Sequence, residues 1–124
     1  MQLVNVKETY EIVFEEKNTA KDKWPVFILR KLSAGEANRI DDEITVSKGD
    51  LSFAYLGGTA SRMKIDLALV GWRNVELQEG KEAPCTSVNK ELLPSKVQQF
   101  LVKRVDEDNG LSKTKKGSKD EKNL

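Results

Sequence analysis

The chain has 124 residues, enough for one domain with a modest core, and its composition is polar, with 38% hydrophobic and 33% charged residues. A formal net charge of +1 creates no global field that would attract nucleic acid or an acidic membrane. The absence of histidine removes the usual general base and the commonest metal ligand, and the single cysteine excludes an internal disulfide. Catalysis by carboxylates or lysine stays possible, but we predict a protein of a reducing cytoplasm that is not an enzyme and holds no metal or cofactor.

The first two elements are predicted to be strands that pair as an antiparallel hairpin. Residues 6–15 alternate between apolar and polar side chains, and residues 24–30 are rich in apolar and β-branched residues. The side chains that share the apolar face of the first strand are Tyr10, Ile12 and Phe14. Pro25 suits the start of a strand or an edge position. Because a hairpin alone is marginally stable, we expect a helix to pack on one of its faces.

A capping-box pattern, Ser33-Ala-Gly-Glu36, opens the next element. The serine oxygen can accept a hydrogen bond from the Glu36 amide, and the glutamate can accept one from the Ser33 amide. The apolar residues that follow at helical spacing are Ala37, Ile40 and Ile44. The pattern predicts a helix over about residues 34–44.

The middle of the chain is ambiguous between helix and strand. The apolar run at residues 51–56 fits a strand or a helical turn, and the two glycines at 57–58 interrupt it. Thr59 is a suitable N-cap, and the length and the alanine and leucine content that follow favour a buried helix over about residues 59–75. The residues that would also alternate as in a strand are Ile65, Leu67 and Leu69.

The last third is predicted to be a loop followed by one helix and a tail. Residues 76–91 contain Gly80 and Pro84 as turn signals, and Ser95 is expected to cap the final helix. The apolar stripe of that helix is Val97, Phe100, Leu101 and Val105. The helix should end at Asn109-Gly110, and the lysine-rich remainder, residues 111–124, should be disordered.

These elements define an α+β fold in which an N-terminal antiparallel β-hairpin precedes about three α-helices. We predict one domain over residues 1–110 and a basic tail over residues 111–124. Residues 112–124 carry a local charge of +3, which leaves −2 on the rest of the chain. The tail could act as an electrostatic arm for nucleic acid, but a solubilising role fits its lack of aromatic residues better. No apolar run reaches the roughly 20 residues of a membrane helix.

Other motifs with a chemical interpretation have a structural alternative that we favour. Residues 57–59 precede a predicted helix and could bind phosphate, yet they lack the lysine of a P-loop, so a turn is preferred. The carboxylates of residues 41–43 point in different directions on a helix and suit a solvated face rather than a metal. Cys85, without histidine or a second cysteine, is interpreted as an incidental thiol.

The order of several motifs resembles that of the tail assembly chaperones of long-tailed bacteriophages. The first motifs are the Leu32-Ser33-Ala-Gly-Glu36 helix start and the Gly71-Trp72-Arg-Asn-Val75 segment. They are followed by the Glu79-Gly80-Lys81 turn, where the family usually has an aspartate, and by Leu92-Leu-Pro-Ser95 at the start of the last helix. The resemblance covers about residues 8–109. It implies a non-enzymatic protein of the host bacterial cytoplasm that binds the tape measure protein and helps to recruit tail tube subunits.

A chaperone of this kind should expose an apolar surface for its client. We predict that surface among large apolar residues, namely Phe53, Tyr55, Leu56, Trp72 and Trp24. The two tryptophans have a core position as their alternative and would serve as anchors only where they are exposed. Two other functions stay open, a structural component of the phage tail or neck and a small nucleic-acid-binding regulator that uses the basic tail. The sequence also leaves open whether the protein is a homo-oligomer.

Overall fold

The computed structural model describes residues 1–48 and 53–111, and for residues 43–48 and 53–57 it describes the backbone alone. The strands are β1 (Thr9–Val13), β2 (Val26–Arg30), β3 (Leu69–Arg73), β4 (Glu76–Gln78) and β5 (Lys81–Glu82). The helices are α1 (Ala34–Lys48), α2 (Phe53–Ala68), α3 (Ser87–Glu91) and α4 (Ser95–Asn109). The predicted α+β class is confirmed, including the N-terminal hairpin.

The main sheet has three antiparallel strands in the order β1-β2-β3. Strand β1 pairs with β2 in a regular register that sets Ile12 opposite Phe27. Ile12, Phe27 and Leu29 are buried on the face that packs against the helices, whereas Val13 on the opposite face is exposed. The alternation predicted for β1 is therefore confirmed, since its even-numbered residues lie on the core side.

The prediction of a helix over residues 59–75 is wrong at its C-terminal end, because the helix ends at Ala68 and Leu69 begins β3. The pairing of β3 with β2 contains an irregularity, so that Leu29 faces Leu69 whereas Phe27 faces Trp72. The extra residue of this bulge, Val70, lets Leu69 and Trp72 both face the core although they are three positions apart. That spacing imitates a helical row, which explains the error.

The two glycines do not interrupt the chain as predicted, because α2 runs from Phe53 through residues 57–58 to Ala68. Thr59 is accordingly an interior helical residue and does not cap a helix. The helix is held by its neighbours, since α2 packs along α1 and also contacts α4. Tertiary packing of this kind overrides the weak local preference of glycine against helix.

The start of α1 agrees with the sequence. The Glu36 amide donates to Ser33 Oγ over 3.1 Å, and the Ser33 amide donates to Glu36 Oε1 over 2.9 Å. Both reciprocal bonds of the predicted capping box are thus present. Arg30, at the end of β2, adds a bidentate ion pair to the same carboxylate, with distances of 2.7 and 3.0 Å. The helix extends to Lys48, slightly beyond the predicted end.

The segment predicted as a loop, residues 76–91, contains short elements. Strands β4 and β5 form a small hairpin around Gly80, which has φ +82°, and α3 begins after Thr86, whose hydroxyl accepts from the Asn89 amide. Pro94, rather than the predicted Ser95, occupies the N-cap of α4. Elements of two to five residues bury too little apolar surface to leave a periodic signal in the sequence.

Helix α4 joins two apolar clusters. Its Val97 and Leu101 pack in the first cluster, under the sheet, and its Val105 packs in the second, between α1 and α2. Gly110 ends α4 with φ +62°, and Leu111 is buried in the second cluster. Leu111, which the sequence assigned to the tail, is therefore part of the described fold.

The remaining predictions about this part of the chain concern the membrane and the tail. Within residues 1–48 and 53–111 no helix combines the length and the apolar composition that crossing a membrane requires. The basic segment 112–124 lies outside the described residues.

Candidate functional site

Trp72 is a core residue, although it was predicted to contact a partner. Its side chain is 8% exposed, and its ring packs edge-to-face on Phe27 with 6.3 Å between the ring centroids. The indole N–H donates to the carbonyl of Ala83 over 2.6 Å, which ties the segment after β5 to the sheet. Both the apolar body and the polar atom of the indole are therefore used inside the fold. With 8% of its surface exposed, Trp72 has little left for a partner to contact.

Trp24 lies at the end of the loop between β1 and β2, and its side chain bonds back to that loop. It is half-buried, and its indole N–H is shared between the carbonyls of Glu16 and Thr19, each at 3.0 Å. The side-chain amide of Asn74, just after β3, donates to the carbonyl of Trp24 over 3.0 Å. The indole N–H is thus occupied within the loop, and only part of the ring is open to a partner.

The other predicted contact residues, Phe53, Tyr55 and Leu56, belong to the first turns of α2. Their side chains lie outside the described part of the structure. Their assignment to a partner surface remains a prediction.

Within the described residues, the helices cover one face of the main sheet and leave its outer face open. Its exposed apolar side chains include Val13 on β1 and Val70 on β3, which are 49% and 47% exposed. Glu11 and Arg73 form a bidentate ion pair of 2.7 and 3.0 Å that reaches across the central strand β2. The face therefore combines half-exposed apolar residues with a solvent-exposed ion pair.

Gly71 leaves the centre of this face without a side chain from β3. A Cβ atom at position 71 would lie 3.3 Å from Cδ1 of Ile28, the residue that pairs with it on β2. The missing side chain therefore gives Ile28 room beside the ion pair of Glu11 and Arg73.

A cleft of about 350 Å³ lies between α2 and the α3–α4 segment. Asp66 accepts from the Ser87 hydroxyl at 2.8 Å and lies 3.5 Å from the ammonium of Lys90, and Arg62 lies 4.0 Å from Glu91. The residues that line the cleft are Thr59, Arg62, Met63, Ile65, Asp66, Ser87, Lys90, Glu91 and Gln98. Its charged groups form ion pairs with each other, so the cleft has the character of a helix–helix junction.

The structure bears on two of the motifs for which a chemical interpretation was considered. Cys85 is half-buried, and burial raises the pKa of its thiol, which disfavours the reactive thiolate. Within the described ranges, no three carboxylate or cysteine side chains group as metal ligands would. Glu43 and Gly57 lie outside the residues whose side chains are described.

The surface formed by the outer face and edge of the sheet was not predicted from the sequence. The exposed residues of β1, Thr9, Glu11 and Val13, could have been read from the same alternation that identified the buried ones. The order of the strands, which decides what lies beside them, has no local signal in the sequence.

Comparisons with protein-family models, curated proteins and solved structures found no match to this chain.

Proposed function

We propose that the protein is a tail assembly chaperone of a long-tailed bacteriophage, which acts in the host bacterial cytoplasm without a cofactor. The order of motifs that runs through the starts of α1 and α4 supports this assignment by resemblance. The observation on which we rely most in the structure is the open outer face of the sheet, with Val13 and Val70 exposed. A surface of this composition suits reversible binding of another protein rather than chemistry on a small molecule.

The client would be the tape measure protein, which is long and prone to aggregate before the tail tube surrounds it. Binding would cover apolar segments of this client and help to recruit tail tube subunits. Because the outer face carries the paired charges of Glu11 and Arg73 beside its apolar residues, the free chaperone would stay dispersed in water. The same mixture would allow the client to be released when tube subunits compete for it.

Co-expression with the tape measure protein of the same phage or prophage tests the proposal. We expect the tape measure protein to stay soluble and to co-purify with the wild-type chain. Val70→Glu, on the open face, should reduce co-purification, whereas Val88→Glu, on the exposed side of α3, should not. Both valines are exposed, so neither change should disturb folding. An insoluble tape measure protein beside a soluble, separately eluting chain would overturn the assignment.

Mass spectrometry of purified particles distinguishes the chaperone from a structural protein. A chaperone should be absent from finished particles. Stoichiometric presence of the chain in the tail or neck would replace the proposed function with a structural one. If the chain instead binds nucleic acid, with an affinity that falls steeply with salt and is lost when residues 112–124 are deleted, it is a regulator.

A further inference from the structure

The hydrogen bonds of β1 leave one side of its backbone facing outwards. The Phe14 amide donates to the carbonyl of Pro25 over 3.0 Å, which continues the regular register between β1 and β2. In an antiparallel pair, alternate residues exchange hydrogen bonds with the neighbouring strand. Tyr10 and Ile12 therefore direct their backbone groups to β2 as Phe14 does. The N–H and C=O groups of residues 9, 11 and 13 point to the outer edge of the sheet.

This edge is uncovered within the described part of the chain. The pairing with β2 uses the alternate residues, and no other hydrogen bond between described residues reaches the backbone N–H or C=O groups of Thr9, Glu11 or Val13. Strand β2 is the only described strand that pairs with β1. Each of these three residues is exposed, so a further strand could approach along the full length of β1. A row of unsatisfied donors and acceptors of this kind is a template for strand addition.

The opposite edge of the sheet differs in this respect. Strand β3 carries the bulge at Val70, and Asn74, with φ +61°, turns the chain away directly after it. The Ala83 amide then donates to the carbonyl of Val75 over 2.7 Å, so the chain folds back beside the end of β3. Bulges and covering segments protect sheet edges from further pairing. Strand β1 contains neither a bulge nor a proline or lysine.

The surroundings of β1 define the chemistry of a segment that would fit. On the core side, the half-buried rings of Phe14 and Phe100 meet edge-to-face, with 5.1 Å between their centroids. Residues 7–17 contain four glutamates against two lysines, and Glu11 extends on the outer side of the sheet. An added strand would alternate its side chains between these two sides. Apolar residues suit the side of the rings. Because Glu11 is already paired with Arg73, basic residues suit the excess negative charge of residues 7–17 as a whole.

We propose that the free edge of β1 binds an extended segment of a partner protein as a fourth strand, with basic and apolar residues in alternation. The inference rests on the proposed chaperone role for the identity of the partner, which would be the client. The edge itself is defined by β1 alone. The five residues of β1 extend over about 17 Å, which matches a bound segment of about five to seven residues.

Amide hydrogen exchange on the full chain tests the edge directly. The probe is a capped peptide of about seven residues that alternates lysine and valine, and the control is the same peptide with glutamate for lysine. We expect the amides of Thr9, Glu11 and Val13 to slow by about tenfold or more when the lysine peptide binds, whereas those of Tyr10 and Ile12 are already protected. Binding of both peptides alike, or a lack of alternate protection, would overturn the proposal.

Two substitutions of Val13 distinguish the contribution of its backbone N–H to peptide binding from the contribution of its side chain. Val13→Pro removes the outward N–H without removing a bond to β2, whereas Val13→Thr keeps the N–H and a β-branched side chain. We expect Val13→Pro to lose peptide binding by tenfold or more and Val13→Thr to keep it. Equal binding by both would contradict the proposal. If Val13→Pro does not fold, the exchange pattern of the wild-type chain still decides.

Co-expression separates this inference from the proposed function. If the tape measure protein co-purifies with the wild-type chain and not with Val13→Pro, the chaperone function and the edge proposal are both supported. If the lysine peptide gives alternate protection but wild-type chain does not retain the tape measure protein, the edge stands and the chaperone role fails. If the tape measure protein is retained without any protection at the edge, the proposed function stands and the edge proposal fails.

Discussion

Replacing Glu36 by glutamine tests the best-defined electrostatic contact of the fold. The carboxylate accepts from both Arg30 guanidinium nitrogens and from the Ser33 amide, at 2.7 to 3.0 Å. The ion pair with Arg30 and the capping-box bonds lower the pKa of Glu36 from 4.5 to about 2. This is equivalent to roughly 3 kcal/mol of stabilisation, and because the side chain is 18% exposed, solvent screening reduces the expected loss to about 2 kcal/mol.

The pH dependence has a definite sign. A carboxylate whose pKa is lower in the folded state stabilises the protein fully above its unfolded pKa and loses that contribution as the pH falls. The wild-type chain should therefore exceed Glu36→Gln in stability near pH 7, and the difference should shrink between about pH 4.5 and pH 2. Urea unfolding followed by circular dichroism at several pH values measures this difference.

Glu11→Gln is the matched control, because Glu11 also forms a bidentate pair with an arginine but is half exposed. Its ion pair is screened by water, so its loss should destabilise the protein less than the loss of the Glu36 carboxylate. A Glu36→Gln protein that behaves like Glu11→Gln at neutral pH would refute the reasoning. So would a difference from wild type that does not change with pH.

Three further sets of substitutions test the packing of the helices. Gly58→Ala should stabilise the protein by about 0.5–1 kcal/mol, because residue 58 lies in the middle of α2, is exposed to solvent and has open space where a Cβ atom would be. A lower stability of this variant in urea would argue against a continuous helix. Leu101→Ala should cost about 2–5 kcal/mol, since this side chain is fully buried, whereas exposed Leu92→Ala should stay within about 0.5 kcal/mol. Lys64 and Asp106 form a buried ion pair in which the ammonium and carboxylate lie 2.8 Å apart. Lys64→Met alone should destabilise the protein by about 3 kcal/mol, because it leaves the carboxylate buried without its cation, and adding Asp106→Leu should restore much of that stability. Equal unfolding midpoints for the wild type, the single variant and the double variant would contradict this expectation.

Features that depend on a few neighbouring residues could be predicted from the sequence. The capping box requires only Ser33 and Glu36, and the stop of α4 requires only a glycine that adopts positive φ at position 110. The alternation of β1 likewise identified its buried face. In each case the determining interactions lie within one turn or one strand, so the local pattern carries the information.

Features that depend on distant pairing could not be predicted. Whether residues 69–73 form a helix or a strand is decided by β2, which lies about 40 residues earlier and offers its free side to Leu69 and Trp72. The bulge also places two core-facing residues three positions apart in this strand, a spacing that is typical of a helix. For the same reason the sequence indicated Trp72 as a partner contact, although its packing on Phe27 makes it a core residue. The free edge of β1 is likewise a property of strand order.

The last turn of α4 fixes the edge of β1 relative to the other elements. Tyr10 donates its phenol hydrogen to Asp108, and burial together with this carboxylate raises the pKa of Tyr10, so the phenol remains a donor. Asn109 accepts from the Leu32 amide over 2.8 Å, directly before α1, and Asp106 pairs with Lys64 of α2. Three separate segments are therefore tied to one helical turn. An edge held in this way is ordered before a partner arrives, so the ordering cost of binding falls mainly on the partner's segment.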